Sequence, residues 1–154
     1  MTTIAYRDGV LATDSQVTYG SSYYTGAITK IAKREFYDVG EKKVHLAAGC
    51  GDAVLVQRFL NWFNDGESGE FDLKVKGDRE EASFCGVVVV DLNTLIMHTV
   101  EGMCTLKINE YFADGSGSPF ALGAMYHGAT AEQAILAAGK HDRHTDINVQ
   151  MERL

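Results

Sequence analysis

Thr2 stands directly behind Met1, in the run Met1-Thr2-Thr3-Ile4. With Met1 removed, Thr2 carries a hydroxyl nucleophile and a free α-amine on adjacent carbons. An unperturbed α-amine titrates at about 7.7–8.0, so near neutral pH part of it can take the proton of its own hydroxyl. Such a residue attacks a carbonyl without a separate base. With Met1 retained, the same nitrogen is an amide with no basic lone pair. Threonine is small enough for a methionine aminopeptidase to expose it, and the working form is expected to begin at Thr2. A Met-Thr start is common and carries no weight alone. The other reactive residue types are sparse. Cys50, Cys85 and Cys104 are odd in number and lack C-x-x-C spacing, which reads as buried free thiols in a reducing compartment. His141 and His144 flank Asp142 without a third His or Cys beside them, too thin a set for a metal, and they read as solvated side chains. Cys50 reads as a small packed residue, and His45 and His98 as structural strand residues. No cofactor and no metal is expected.

A nucleophile at a chain end needs a rigid strand to aim it, and the first fifteen residues supply one. Ile4, Tyr6, Val10 and Leu11 flank Asp8-Gly9, a hairpin signal. Gln16–Ser22 reads as a turn region, followed by strands at Tyr23–Thr25, Ile28–Phe36 and Lys43–Gly49. From Asp52 to Asn64 the period becomes helical, with Val54, Leu55, Val56, Phe59, Leu60, Trp62 and Phe63 apolar on most sides. That pattern predicts a helix packed between layers. Glu67–Ser83 reads as loop with one short strand at Phe71–Val75. Phe84–Val90 is a continuous apolar run, as in a strand buried on both faces, and shorter strands follow at Leu95–Val100, Met103–Ile108 and Tyr111–Ala113. Ser118 as N-cap with Pro119 behind it starts a helix to Tyr126. Thr130 and Gln133 form a capping box for a helix from Ala131 to Lys140, and Asp146–Leu154 holds a final strand. Strands and helices in this order predict an α+β fold of two mainly antiparallel sheets covered by helices, one domain over residues 1–154.

Composition agrees with a globular chain. At 154 residues, about 68–70% of the unfolded surface can be buried. Sixteen glycines against one proline suit tight turns. The net charge of −7, without a sustained basic run, disfavours nucleic acid as partner. No stretch is apolar enough to span a bilayer and no basic-then-apolar signal opens the chain, so a cytoplasmic protein off the membrane is expected.

Six local patterns occur in one order: Thr2-Thr3-Ile4, Thr13-Asp14-Ser15, Ile28-Thr29-Lys30-Ile31, Ala48-Gly49-Cys50-Gly51-Asp52-Ala53, Gly115-Ser116-Gly117-Ser118-Pro119-Phe120 and Asp142-Arg143-His144-Thr145. Together they resemble the proteasome β-subunit and HslV-like family of N-terminal-nucleophile hydrolases. The resemblance covers nearly the whole chain and is strongest in the first thirty residues and at Gly115–Ala121. It implies a four-layer αββα sandwich of two antiparallel sheets. The family's second long helix has no counterpart in Asp65–Ser83, so the sandwich is expected to be trimmed in that helix layer.

The resemblance also implies the site. Thr2 matches the catalytic threonine, Asp14 and Lys30 the acid and lysine, and Gly49 the glycine whose N–H forms the oxyanion hole. Ser116 matches the loop serine. Asp142 and Thr145 match an Asp-x-x-Ser motif, with Thr145 for serine and Asp146 where glycine is usual. Val17, Thr18, Ile28, Ala32 and Ala47 match the lining of the specificity pocket, mostly small and apolar, so an apolar residue is expected before the cut bond. The implied protein is a threonine endopeptidase in a homo-oligomeric ring, acting on unfolded polypeptide or peptides, with an ATP-dependent unfoldase as a further partner. Two alternatives stay open: a catalytically idle assembly subunit of the same fold, and an amidase of the wider N-terminal-nucleophile group.

Overall fold

The computed structural model describes residues 2–19, 22–67, 71 and 83–154, with backbone alone at residues 18, 19 and 22–25. The chain opens as the expected hairpin, β1 (Thr3–Arg7) and β2 (Val10–Thr13). Asp8 and Gly9 turn it with φ of 51° and 76°, the pair of positive values that a two-residue turn matched to strand twist requires. The segment read as a turn after it is instead a strand, β3 (Gln16–Tyr19), paired with β4 (Ser22–Ala27). Val17, Thr18 and Tyr19 supply the β-branched and aromatic residues that extended pairing favours.

Next come β5 (Ile31–Asp38), β6 (Glu41–Gly51), helix α1 (Ala53–Asn64), β7 (Phe84–Asp91), β8 (Thr94–Thr99), β9 (Gly102–Lys107) and β10 (Tyr111–Gly115). Helices α2 (Ser118–Tyr126) and α3 (Ala131–His141) and strand β11 (Gln150–Arg153) complete the chain. One antiparallel sheet has the order β10-β1-β2-β11, and a second has β5-β6-β7-β8-β9. Most of the strand expected at Phe71–Val75 lies outside the described residues.

Side-chain alternation stacks these sheets. In β1, Ile4 and Tyr6 point inward with Leu11 of β2, meeting Leu46, Val87, Val89 and Leu95 of the other sheet. Ala5 and Ala12 point the opposite way, where their small size admits Ala121, Met125, Ala134 and Ile135 of α2 and α3. On the far face, Ala47 and Val88 lie under Leu55, Phe59, Leu60 and Phe63 of α1. The layers therefore run helices, sheet, sheet, helix: the αββα sandwich, with α1 the helix of its layer among the described residues. The two-sided reading of Val87–Val90 holds for Val87, Val88 and Val89, which serve both cores. The reading of α1 as packed between layers does not: it is an outer helix, and Val54 is 60% exposed.

Helix starts follow local chemistry. Asp52 caps α1, its carboxylate accepting from Val54 N at 2.9 Å and Leu55 N at 3.1 Å. Thr130 and Gln133 form the expected capping box on α3. The N-cap of α2 is Gly117 rather than Ser118, with no side-chain bond there. Among the described residues no helix is long and apolar enough to cross a membrane.

Candidate active site

Thr2 lies at the entrance to β1, 3% exposed. Two chain segments hold it. Its carbonyl accepts from Ser116 N at 3.2 Å, and the next amide, Thr3 N, donates to Asp14 Oδ1 at 3.1 Å. Gly115 permits that contact. It has φ +96°, and a Cβ there would sit 1.8 Å from the Thr2 carbonyl oxygen, so only glycine lets β10 come this close.

Asp14 and Lys30, distant in sequence, form a buried ion pair. Lys30 Nζ donates to Asp14 Oδ2 at 3.2 Å and to the Gln16 carbonyl at 2.5 Å. Oδ2 also accepts from Gln16 N at 3.1 Å and Asp146 N at 3.4 Å. Burial raises the Asp14 pKa and lowers that of Lys30, and the attraction between the two charges opposes both shifts. Asp146 stands where the resemblance implies glycine, and its φ is not positive, so a side chain is tolerated there. Its carboxylate accepts from Ser15 N at 3.1 Å and Asn148 Nδ2 at 3.0 Å, tying the end of β2 to the approach to β11.

A second network meets the chain at Thr3, the residue after Thr2. Ser116 Oγ donates to Asp142 Oδ2 at 2.5 Å, and Thr145 Oγ1 donates to the same oxygen at 2.6 Å. Thr145 has one hydroxyl proton, so at its 2.6 Å contact with Thr3 Oγ1 it accepts. Thr3 in turn accepts from Gly117 N at 3.0 Å. The bonds thus run in one direction, from Gly117 through Thr3 and Thr145 to Asp142. Burial works to raise the Asp142 pKa, but hydrogen bonds from Ser116, Thr145 and His144 N hold it below the ordinary carboxylate value. The structure therefore gathers Thr2, Asp14, Lys30, Ser116, Asp142 and Thr145 in one region.

Gly49 departs from expectation. Its N–H donates to the Lys30 carbonyl at 3.1 Å and has no second proton for an oxyanion. Backbone groups alternate between the two edges of a strand, so the next N–H on that edge of β6 is Gly51, one step beyond the last bond to Lys30. Gly51 has φ +100°, and a Cβ there would meet the Ser83 carbonyl at 2.0 Å.

Thr2 borders two cavities. The larger, about 320 Å³, is lined by Cys50, Gly51, Cys85, Asp114 and Ser116 among others. The smaller, about 20 Å³, is lined by Val17, Ile28, Lys30, Gly51 and Val56 with Gln16 and Ala53. Of the expected pocket residues, Val17 and Ile28 line it. Ala47 is fully buried beneath α1 with Ala32 packed beside it, in the core rather than on either cavity wall. For Thr18 only the backbone is described. Sequence reasoning missed Gly51, Val56 and the Thr3 hydroxyl, whose partners lie too far along the chain for any local signal.

The remaining reactive residues are also placed. Cys50 and Cys85 are buried free thiols, but Cys104 is exposed. Contact with Cys50, burial and Asp114 push the Cys85 thiol pKa up. His141 stacks on Phe120 with ring centroids 5.3 Å apart. His98 lies against Phe59 and Trp62, where burial lowers its pKa. His45 Nδ1 is 3.4 Å from Glu67 Oε1.

No family model and no curated protein matches the sequence. Solved structures do match the fold. Eukaryotic HslV from Trypanosoma brucei aligns with a TM-score of 0.63 and 18% identity over 97% of each chain. A Gly-1 mutant of Anbu from Hyphomicrobium sp. strain MC1 aligns at 0.66 and 13% over 99% of this chain and 81% of that one. The Anbu complex from Pseudomonas aeruginosa, solved as a helical assembly, aligns at 0.63 and 10% over 100% and 81%. The chain has the four-layer αββα fold of HslV and Anbu.

Proposed function

We propose that this protein is an N-terminal threonine peptidase that works as a homo-oligomer, with Thr2 exposed as the first residue. One observation carries the reading. Thr2 borders a cavity large enough for a peptide segment, and the same residue borders the buried Lys30–Asp14 pair.

In this reading Thr2 Oγ attacks the substrate carbonyl carbon while the Thr2 α-amine takes the hydroxyl proton, directly or through one water. The Lys30 ammonium disfavours a second positive charge beside it and so lowers the pKa of that amine. Asp14 holds Lys30 in place. The Gly51 N–H, in place of Gly49, donates to the tetrahedral oxyanion, a contribution worth about 2.7–4 kcal/mol for one donor. Collapse breaks the C–N bond, and the amine returns its proton to the leaving group. Water then hydrolyses the threonine ester and restores the hydroxyl. Ser116, Asp142 and Thr145 brace the segment around the amine, with Ser116 N fixing the Thr2 carbonyl. The small cavity beside Val17, Ile28 and Val56, which Gln16 and Lys30 also line, favours a small residue before the cut bond.

The test is hydrolysis of short fluorogenic peptides by protein whose intact mass shows loss of Met1. Thr2→Ala should abolish turnover and leave the melting temperature nearly unchanged, while Thr2→Ser keeps part of it. Equal hydrolysis by Thr2→Ala, or by protein that uniformly retains Met1, would refute the mechanism. Absence of any hydrolysis by the Thr2-first form would favour the idle assembly subunit. Light scattering reads the other half of the proposal, and a stable monomer at micromolar concentration would overturn it.

A further inference from the structure

The mechanism leaves three ligand-bearing side chains at the larger cavity unused. Cys50 of β6 and Cys85 of β7 are directly opposite in the antiparallel ladder. Both belong to the core between the sheets, at 6% and 8% exposed. Asp114 comes from the other sheet. On β10 it pairs in register with Ile4, whose side chain joins the same core, so Asp114 shares that inward direction. One sulfur from each cysteine and one carboxylate oxygen lie within 4.8 Å of one another.

Asp114 is half-buried and no salt bridge to it is found among the described residues, so a cation would compensate its charge together with the two thiolates. The donor set itself names the compensation. Paired thiolates with a carboxylate suit zinc-class cations and not magnesium or calcium, which take oxygen ligands. The spacing agrees. Zinc bonds of about 2.3 Å to sulfur and 2.0–2.2 Å to oxygen set tetrahedral ligands about 3.5–3.8 Å apart, so the cluster needs to contract by no more than about 1 Å. Three protein ligands leave one position open, and all three residues line the cavity that Thr2 borders.

We propose that Cys50, Cys85 and Asp114 form a binding site for a zinc-class divalent cation whose fourth coordination position opens on this cavity. Binding exchanges protons for metal: each thiol gives its proton to solvent, and the cation takes two thiolates and one carboxylate oxygen. No electron transfer is involved.

The experiment is titration of the full chain, kept reduced, with Co²⁺ followed by Zn²⁺. The expected result is a thiolate-to-cobalt charge-transfer band that saturates at one equivalent and is abolished by Zn²⁺, with release of about two protons per metal. Cys50→Ser and Cys85→Ser should lose the band, Asp114→Asn should weaken binding about tenfold or more, and Cys104→Ser should leave it intact. Near-ultraviolet circular dichroism checks that each variant is folded. Should a cysteine variant fail to fold, the wild-type melting temperature decides instead: a rise with Zn²⁺ that Asp114→Asn diminishes supports the site, and no rise overturns it. A wild-type protein without the band overturns the site, as does a band that survives Cys85→Ser or vanishes with Cys104→Ser. Recovery of Cys50 and Cys85 as a disulfide, with no band after reduction, also overturns it. None of these readouts involves hydrolysis, so the site stands or falls separately from the chemistry of Thr2.

Discussion

Cutting the Lys30–Asp14 pair from either side should destabilise the protein unequally, and the contacts left behind set the order. At 3.2 Å and an effective dielectric constant of about 20, the attraction is about 5 kcal/mol. Both single replacements lose it. Lys30→Met leaves the Asp14 carboxylate with N–H donors from Thr3, Gln16 and Asp146, and the methionine fills much of the lysine stem's space. Asp14→Ala leaves a buried ammonium with the Gln16 carbonyl and takes the acceptor from all three N–H groups. Breaking a buried pair costs about 3–5 kcal/mol, and each orphaned buried donor adds about 1–3 kcal/mol. Lys30→Met should therefore cost about 3 kcal/mol and Asp14→Ala at least about 3 kcal/mol more. Urea unfolding at one fixed protein concentration, with unchanged slope, reads the difference. If Lys30→Met costs as much as Asp14→Ala, the three backbone donors do not support the carboxylate and the reasoning fails. Costs below about 1 kcal/mol for both would mean a solvated pair.

Three further perturbations address single contacts. Gly115→Ala must move β10 away from the Thr2 carbonyl or strain a positive φ, and should cost about 2–5 kcal/mol by thermal or urea unfolding; a neutral result would contradict the close approach. Asp52→Ala removes the acceptor for Val54 N and Leu55 N and should cost about 1 kcal/mol, read by the same unfolding assay. Asp142→Asn should cost about 1.5–3 kcal/mol near neutral pH. Because the folded Asp142 pKa is depressed, its contribution is complete above the unfolded value of about 3.9 and is lost as pH falls through the folded one. The gap between wild type and Asp142→Asn should therefore narrow on acidification, and a gap that widens would reverse the assigned sign.

The parts legible in the sequence were those whose physics is local. Alternation in Ile4-Ala5-Tyr6 and the Asp8-Gly9 turn predict the first hairpin, and Thr130 with Gln133 predicts the start of α3. The run Val87-Val88-Val89 is apolar on both faces because the strand serves two cores. Helix α1 misled for a related reason. Val54 extends an apolar stripe into solvent, and periodicity does not reveal which apolar residues find a partner. The candidate site was legible as a set of residue types but not as bonds. Gly49 and Gly51 are separated by a single residue, and the fate of each N–H depends on where β5 stops pairing with β6. The meeting of Asp114 with Cys50 and Cys85 needs two sheets to stack, which no local window contains.

The sheet order also sets a sequence of events during synthesis. The second sheet pairs strands that are neighbours in the chain, and each can dock soon after it emerges. The first sheet is different: β1 waits for β10, with Thr3 opposite Gly115, and β2 waits for β11, with Thr13 opposite Gln150. An isolated hairpin is marginal in water, and such distant closures are slow. The hairpin is thus made well before its partner strands and is among the last parts to be locked. Until Thr145 has left the ribosome Thr2 lacks the full set of Ser116, Asp142 and Thr145 around it, so the hydroxyl that the proposed reading makes a nucleophile stays without that network.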